Sequence, residues 1–155
     1  MGVGFHPYFT LDSCPIDTWE ASFPATKYLE FQNLVPTGRV LNVEGSPLDY
    51  REQKPIGANK FNFCFCDLER EADGSAVAML RNSNRAIKLT FDSAFNYLVV
   101  YSGEAIPAPD TRKAFAIEPI TCATDAFNHP EWGLKILNPR ESFTGSYRIE
   151  PVLFT

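Results

Sequence analysis

No apolar run in this 155-residue chain approaches the ~18–20 residues needed to cross a bilayer as a helix. The N-terminus, MGVGFHPYF, also lacks the basic start and long apolar stretch of a secretory leader. These two absences lead us to expect a soluble, cytoplasmic protein with no membrane partner. The opening Met-Gly is not followed by the Ser or Thr that a myristoylation signal requires. Positive charge is scarce as well: 14 Lys and Arg against 19 Asp and Glu leave a net charge of −5. Nucleic-acid binding draws most of its affinity from Lys and Arg, so no nucleic-acid partner is expected, whereas a neutral small molecule is compatible. Four cysteines are present, with a single C-x-C at Cys64 and Cys66 and no second pair. A zinc site needs four ligands at workable spacing, so no metal is expected; free, buried thiols in a reducing compartment fit better.

What the chain does contain is strand. The segments 27–32, 38–43, 60–65, 75–80, 86–91, 96–102, 113–120 and 146–152 are short and rich in β-branched or aromatic residues. In the fifth, Ile87, Leu89 and Phe91 fall on one face and Lys88 and Thr90 on the other, the alternation of a half-buried strand. Twelve prolines and nine glycines punctuate the chain with turn signals such as PTG, EGSP, DGS and NHPEWG. Helix is expected only as single turns, for instance at 15–20. This rhythm predicts an all-β fold, an antiparallel β-sandwich, with residues 1–155 forming one domain. The chain opens directly on strand-like sequence. A sheet beginning there would present an open edge that invites self-association or pairing with another chain.

Only two histidines occur, and one, His6, stands in the apolar, aromatic stretch GFHPYFTL. An imidazole requires hydrogen-bond partners that a core strand does not supply, so His6 is either a satisfied structural side chain or a chemical group. Its candidate partner is Glu118, set in the apolar strand AFAIEPI. With period-two alternation Ala114, Ala116 and Glu118 share a face, and two small residues beside a carboxylate leave room for a ligand. The competing reading is a sheet-end Glu facing water, supported by Pro119, which cannot donate to a central ladder. The second histidine, His129, lies with Trp132 in the loop NHPEWG. There Trp132 either stacks on a ligand or caps the core. Asp125 and Asn128 are expected to shape that loop through side-chain-to-backbone bonds.

Five segments together resemble the aldose 1-epimerases, or galactose mutarotases. GFHPYFTL is similar to the family's His-containing motif, and AIEPITCATDAFN to its Glu-containing strand and following turn. LVPTGRVLNVEGSPLDYREQKPIG, YLVVYSG and LNPRESFTGSYRI are similar to three further family segments, in the same order. The resemblance implies a sandwich that is part of a galactose mutarotase-like supersandwich. It also implies interconversion of α and β anomers of a hexose, with His6 as general acid and Glu118 as general base. It places Tyr8 and Asn62 as substrate-binding residues and requires no metal or cofactor. Asn62 departs from the family pattern, which carries an Asp there; an amide keeps one acceptor but loses the charge. The resemblance covers only the C-terminal half of the family's length. A complementary N-terminal half, or self-association through an open sheet edge, is therefore a candidate partnership. The alternative reading is a catalytically impaired carbohydrate-binding remnant of the same fold.

Overall fold

Side-chain alternation builds two faces on each strand, and in this chain both faces of one sheet are used. The structure, a computed structural model, describes residues 1–154. Its strands are β1 (Tyr8–Phe9), β2 (Glu20–Ser22), β3 (Ala25–Gln32), β4 (Val35–Asn42), β5 (Lys54–Pro55) and β6 (Asn62–Leu68). They continue with β7 (Ala76–Arg81), β8 (Arg85–Phe91), β9 (Tyr97–Tyr101), β10 (Phe115–Ile120) and β11 (Tyr147–Leu153). Two antiparallel sheets result, ordered β1-β10-β9-β6-β3-β4 and β11-β8-β7-β2-β5. The eight strand segments read from the sequence all appear, with ends shifted by a few residues. The expected helical turn near 15–20 is a 3₁₀ turn at Ile16–Thr18 that runs into β2. The short strands β2 and β5 carry too little alternating pattern to be read from sequence. Among the described residues no helix is long and apolar enough to cross a membrane.

Between the sheets lies the main core. Ala76, Ala78 and Leu80 of β7 and Leu89 and Phe91 of β8 point into it, as do Phe65, Leu98, Phe115 and Ile117 of the first sheet. Phe23 stacks on Tyr50 at 5.2 Å and meets Phe61 edge-on at 5.9 Å, and Phe61 in turn meets Phe115 at 5.6 Å. Such pairs add ~0.5–1.5 kcal/mol each beyond the area they bury. The buried Tyr50 hydroxyl is not orphaned: it donates to the Pro55 carbonyl (2.8 Å) and accepts from Asn59 Nδ2 (2.8 Å).

The outer face of the first sheet carries a second, smaller cluster of Leu29, Cys64, Cys66 and Ala123, against which Trp132 packs. The loop that covers it closes through Ala123 N–H to the Trp132 carbonyl (2.9 Å). Gly133 makes that closure possible. Its φ of +86° suits glycine, and a Cβ there would lie 2.9 Å from the Thr121 carbonyl oxygen. Beyond this covered region the same sheet face is left open, and the candidate site lies there.

Candidate active site

Strand register brings the two distant candidates together. Tyr8 lies opposite Ala116 and Phe9 opposite Phe115, and Gly4 bridges Ile120 in the same antiparallel register. That register sets His6 opposite Glu118. Pro7 has no N–H to give, and Phe5 N–H donates instead to the Pro119 carbonyl (3.2 Å). In an antiparallel ladder the N and O of one residue face the same neighbour. The missing N–H of Pro119 therefore falls on the side where the N-terminal segment is interrupted, and β10 keeps its full ladder with β9 on the other side. Glu118 is accordingly not a water-facing sheet-end residue; it is 7% exposed.

Two rungs of the sheet define the site. Glu118 pairs with Val99, which pairs with Cys64; the next rung runs Tyr8, Ala116, Tyr101, Asn62. His6, Tyr8, Asn62 and Glu118 all line one cleft of about 610 Å³, together with Leu34, Phe63, Val99, Tyr101 and Glu104. The four residues that the resemblance places in the site thus line one opening. The space beside Ala116 is flanked by the tyrosine rings of its cross-strand neighbours, 6.4 Å apart and edge-on, and Ala116 itself is wholly buried.

The charged centre is compact. His6 Nε2 lies 3.2 Å from Glu118 Oε1, while the Tyr8 ring stacks on the imidazole at 4.8 Å. Among the described residues, Glu118 Oε1 is buried without a hydrogen-bond partner, because the imidazole contact has the distance of a hydrogen bond but not its direction. An unsatisfied buried acceptor costs ~1–3 kcal/mol, which a ligand hydroxyl would recover. Burial pushes the Glu118 carboxyl up to about 7. The Tyr8 phenol is also raised, by burial first and then by Tyr101 and Glu118 nearby.

Sequence reasoning missed a polar network at the end of β9. Glu104 lines the cleft, and its carboxylate accepts from the Ser102 hydroxyl and from the Arg112 guanidinium. Arg112 also donates to the carbonyls of Gly57 (2.8 Å) and Asn59 (3.1 Å) and to Asp17 (3.1 Å from Nε), tying three loops together. The one available signal was a Glu directly after the strand-ending YSG. Leu34, at the tip of the β3–β4 hairpin, was also missed; it adopts φ 66° and is 74% exposed.

The remaining candidates lie elsewhere. His129 stacks on Trp132 at 4.0 Å and contacts Glu131 at 3.3 Å; with Trp132 it caps the outer cluster and lines no part of the cleft. Asn128 Nδ2 donates to Asp125 Oδ1 (2.7 Å), a side-chain pair where side-chain-to-backbone bonds were expected, and the turn itself closes through backbone N–H groups of Asn128 and His129 donating to the Asp125 carbonyl (3.0 and 3.2 Å). The four cysteines are free, and burial pushes the Cys64 and Cys66 thiols up to about 11 and about 12, so neither is a ready nucleophile. No group of three or more His, Cys, Asp or Glu side chains among the described residues is arranged to hold a metal ion. A second groove of about 690 Å³ is lined by Asp49, Arg51, Lys54 and Glu69, and its Arg51 is engaged twice by Asp49 (2.9 and 2.7 Å).

Similar folds are found in solved structures. A homologue of GalM and aldose epimerase from C. elegans superposes with a TM-score of 0.86 at 15% identity, over all of this chain and 52% of its own. A putative aldose 1-epimerase from Escherichia coli K12 gives 0.77 at 22% identity, over 99% of this chain and 50% of its own. Galactose 1-epimerase from Lactobacillus acidophilus gives 0.75 at 17% identity, over 96% and 47%. At these identities the likeness establishes the fold, a galactose mutarotase-like antiparallel sandwich. Among curated proteins, the uncharacterized Escherichia coli K12 protein YihR is 28% identical over 128 residues, 82% of this chain but 39% of its own length. The chain thus spans about half the length of its structural relatives and less of this curated one. A sequence model of the family described as aldose 1-epimerase matches residues 1–150, nearly the whole chain, and on that match the chain belongs to the aldose 1-epimerase family.

Proposed function

We propose that this chain interconverts the α and β anomers of a hexose by acid/base opening of the ring, as part of hexose metabolism. Glu118 takes the proton of the anomeric hydroxyl while His6 delivers one to the ring oxygen. The bond between C1 and the ring oxygen breaks, leaving an aldehyde and a free hydroxyl. The aldehyde end rotates about C1–C2, and the hydroxyl attacks the other face of the carbonyl. His6 takes back its proton and Glu118 returns the other to the new anomeric oxygen. All protons and electron pairs are restored, so neither metal nor cofactor is needed for balance. Each positioned acid or base is typically worth ~10²–10⁴-fold in rate.

The observation that carries this reading is the His6–Glu118 pair itself: 3.2 Å apart on one cleft wall, with a buried carboxylate oxygen that has no hydrogen-bond donor among the described residues. A carboxyl near 7 is about half deprotonated at neutral pH, close to the optimum for a general base. Tyr8 and Asn62 line the same cleft and are assigned to the sugar hydroxyls. The test is polarimetric. Freshly dissolved α-glucose or α-galactose should lose optical rotation faster with the chain than in buffer, and Glu118→Gln should abolish the acceleration. No acceleration by the wild type removes the enzymatic reading for this chain.

Asn62 supports a second reading, a carbohydrate-binding protein without turnover. Its neutral amide holds hydroxyl donors less strongly than the carboxylate that the family pattern has there. Hexose-dependent NMR shifts without anomer exchange would select it.

A further inference from the structure

We propose that Glu104 is a second sugar-binding carboxylate of the cleft, accepting a ring hydroxyl of the hexose and supplying the charge that Asn62 lacks. This rests on the reading of the cleft as a hexose site and concerns a residue outside the acid/base pair. Glu104 lies at the end of β9, on the cleft side, with its side chain 26% exposed. It is held there by a tight turn. Gly103 adopts φ +81° next to the Ala114 carbonyl and the Arg112 amide, and Arg112 N–H and Ile106 N–H both donate to the Gly103 carbonyl (3.4 and 3.2 Å).

The carboxylate is oriented before any ligand arrives. The Ser102 hydroxyl lies 2.7 and 2.8 Å from its two oxygens and itself accepts from Phe61 N–H at 2.6 Å. Arg112 donates to Oε1 and is anchored in turn to the carbonyls of Gly57 and Asn59. Ser102 has one proton to give, so these two donors fill only part of the ~four lone-pair positions a carboxylate offers. Glu104 lines the cleft, so that remaining capacity is available to a ligand there. Beside it, the Tyr101 hydroxyl accepts from Ala105 N–H (2.7 Å), and its own O–H has no acceptor among the described residues. A fixed acceptor next to a free donor matches a sugar hydroxyl, which needs both. The Tyr101 rung lies roughly 7 Å along β9 from the Val99–Glu118 rung, about the width of a pyranose. A hexose with its anomeric end at Glu118 therefore turns its far hydroxyls toward Tyr101 and Glu104.

A purely structural Glu104 would staple loops and leave sugar binding untouched, so the test must read binding. Glu104→Gln keeps an acceptor for Ser102. It is expected to raise KM at least tenfold with kcat within about twofold, the pattern of lost binding and not lost chemistry. A deoxyhexose lacking the hydroxyl that Glu104 receives should show no further loss in the variant. In the unsubstituted protein, the Glu104 side-chain carboxyl ¹³C resonance should move on titration with the hexose and stay still with that deoxyhexose, which covers the case of a poorly folded variant. Unchanged KM in a folded Glu104→Gln, or a Glu104 resonance that ignores a hexose which moves Glu118, overturns this assignment alone. A wild type without anomer exchange and without any hexose-dependent shift overturns the hexose reading and this one together.

Discussion

Replacing Glu118 by Gln should stabilise the fold, and the gain should depend on pH. Glu118 is 7% exposed and its carboxyl is held near 7, against 4.5 for a free glutamate. Between those two values the folded state holds a proton that the unfolded state has released. Stability contributed by the protonated carboxyl is thus complete below pH ~4.5 and lost as pH rises through ~7. At 1.36 kcal/mol per pKa unit, the loss above pH 7 approaches about 3 kcal/mol, an upper value that a protonated His6 at 3.2 Å would reduce. Glutamine keeps the shape, carries no charge and escapes this penalty. For a chain of this size, 1 kcal/mol corresponds to roughly 2–4 °C in Tm. Thermal or urea unfolding of wild type and Glu118→Gln at pH 4.5 and pH 8 reads the difference directly. The two proteins should be nearly equal at the lower pH, and the variant should be more stable by up to about 10 °C at the higher. A stability difference that is the same at both pH values would refute the account, because it would mean the carboxyl ionises in the fold as freely as in water.

Initial rates of anomer exchange should rise with pH through about 7, because the base must be deprotonated to work; a rate already flat from pH 5 to 8 would contradict the assignment of Glu118. His6→Gln should lower the rate by ~10²-fold or more, while His129→Gln, altered in its stack on Trp132 away from the cleft, should leave it unchanged. Leu34→Gly should raise stability by ~0.5–1 kcal/mol, because Leu34 occupies the left-handed region (φ 66°) of a two-residue hairpin turn that favours glycine. A lower urea midpoint for that variant would show that Leu34 is held by packing and not strained.

Much of the molecule was legible in the chain because short-range physics writes itself into sequence. Alternation in AIKLTF dictates which face of β8 meets the core, and Leu89 and Phe91 are buried as that pattern requires. The isolated His6 and the acid inside an apolar strand were conspicuous for the opposite reason: each is costly where it stands unless something engages it. The short strands β2 and β5 left no trace, because two or three residues carry no period. Glu104 and Arg112 looked like ordinary loop charges, since their meaning lies in hydrogen bonds between loops far apart in the chain.

By itself, the sequence determined the all-β class, the inward faces of the longer strands and the residue types able to trade protons. Only the tertiary structure decided that His6 and Glu118 are neighbours, because antiparallel register is a relation between two strands and neither strand encodes it alone. The same holds for the carboxyl at Glu118. Its affinity for a proton is set by how much water the folded sheet and its neighbours exclude, and that quantity does not exist until the chain has folded.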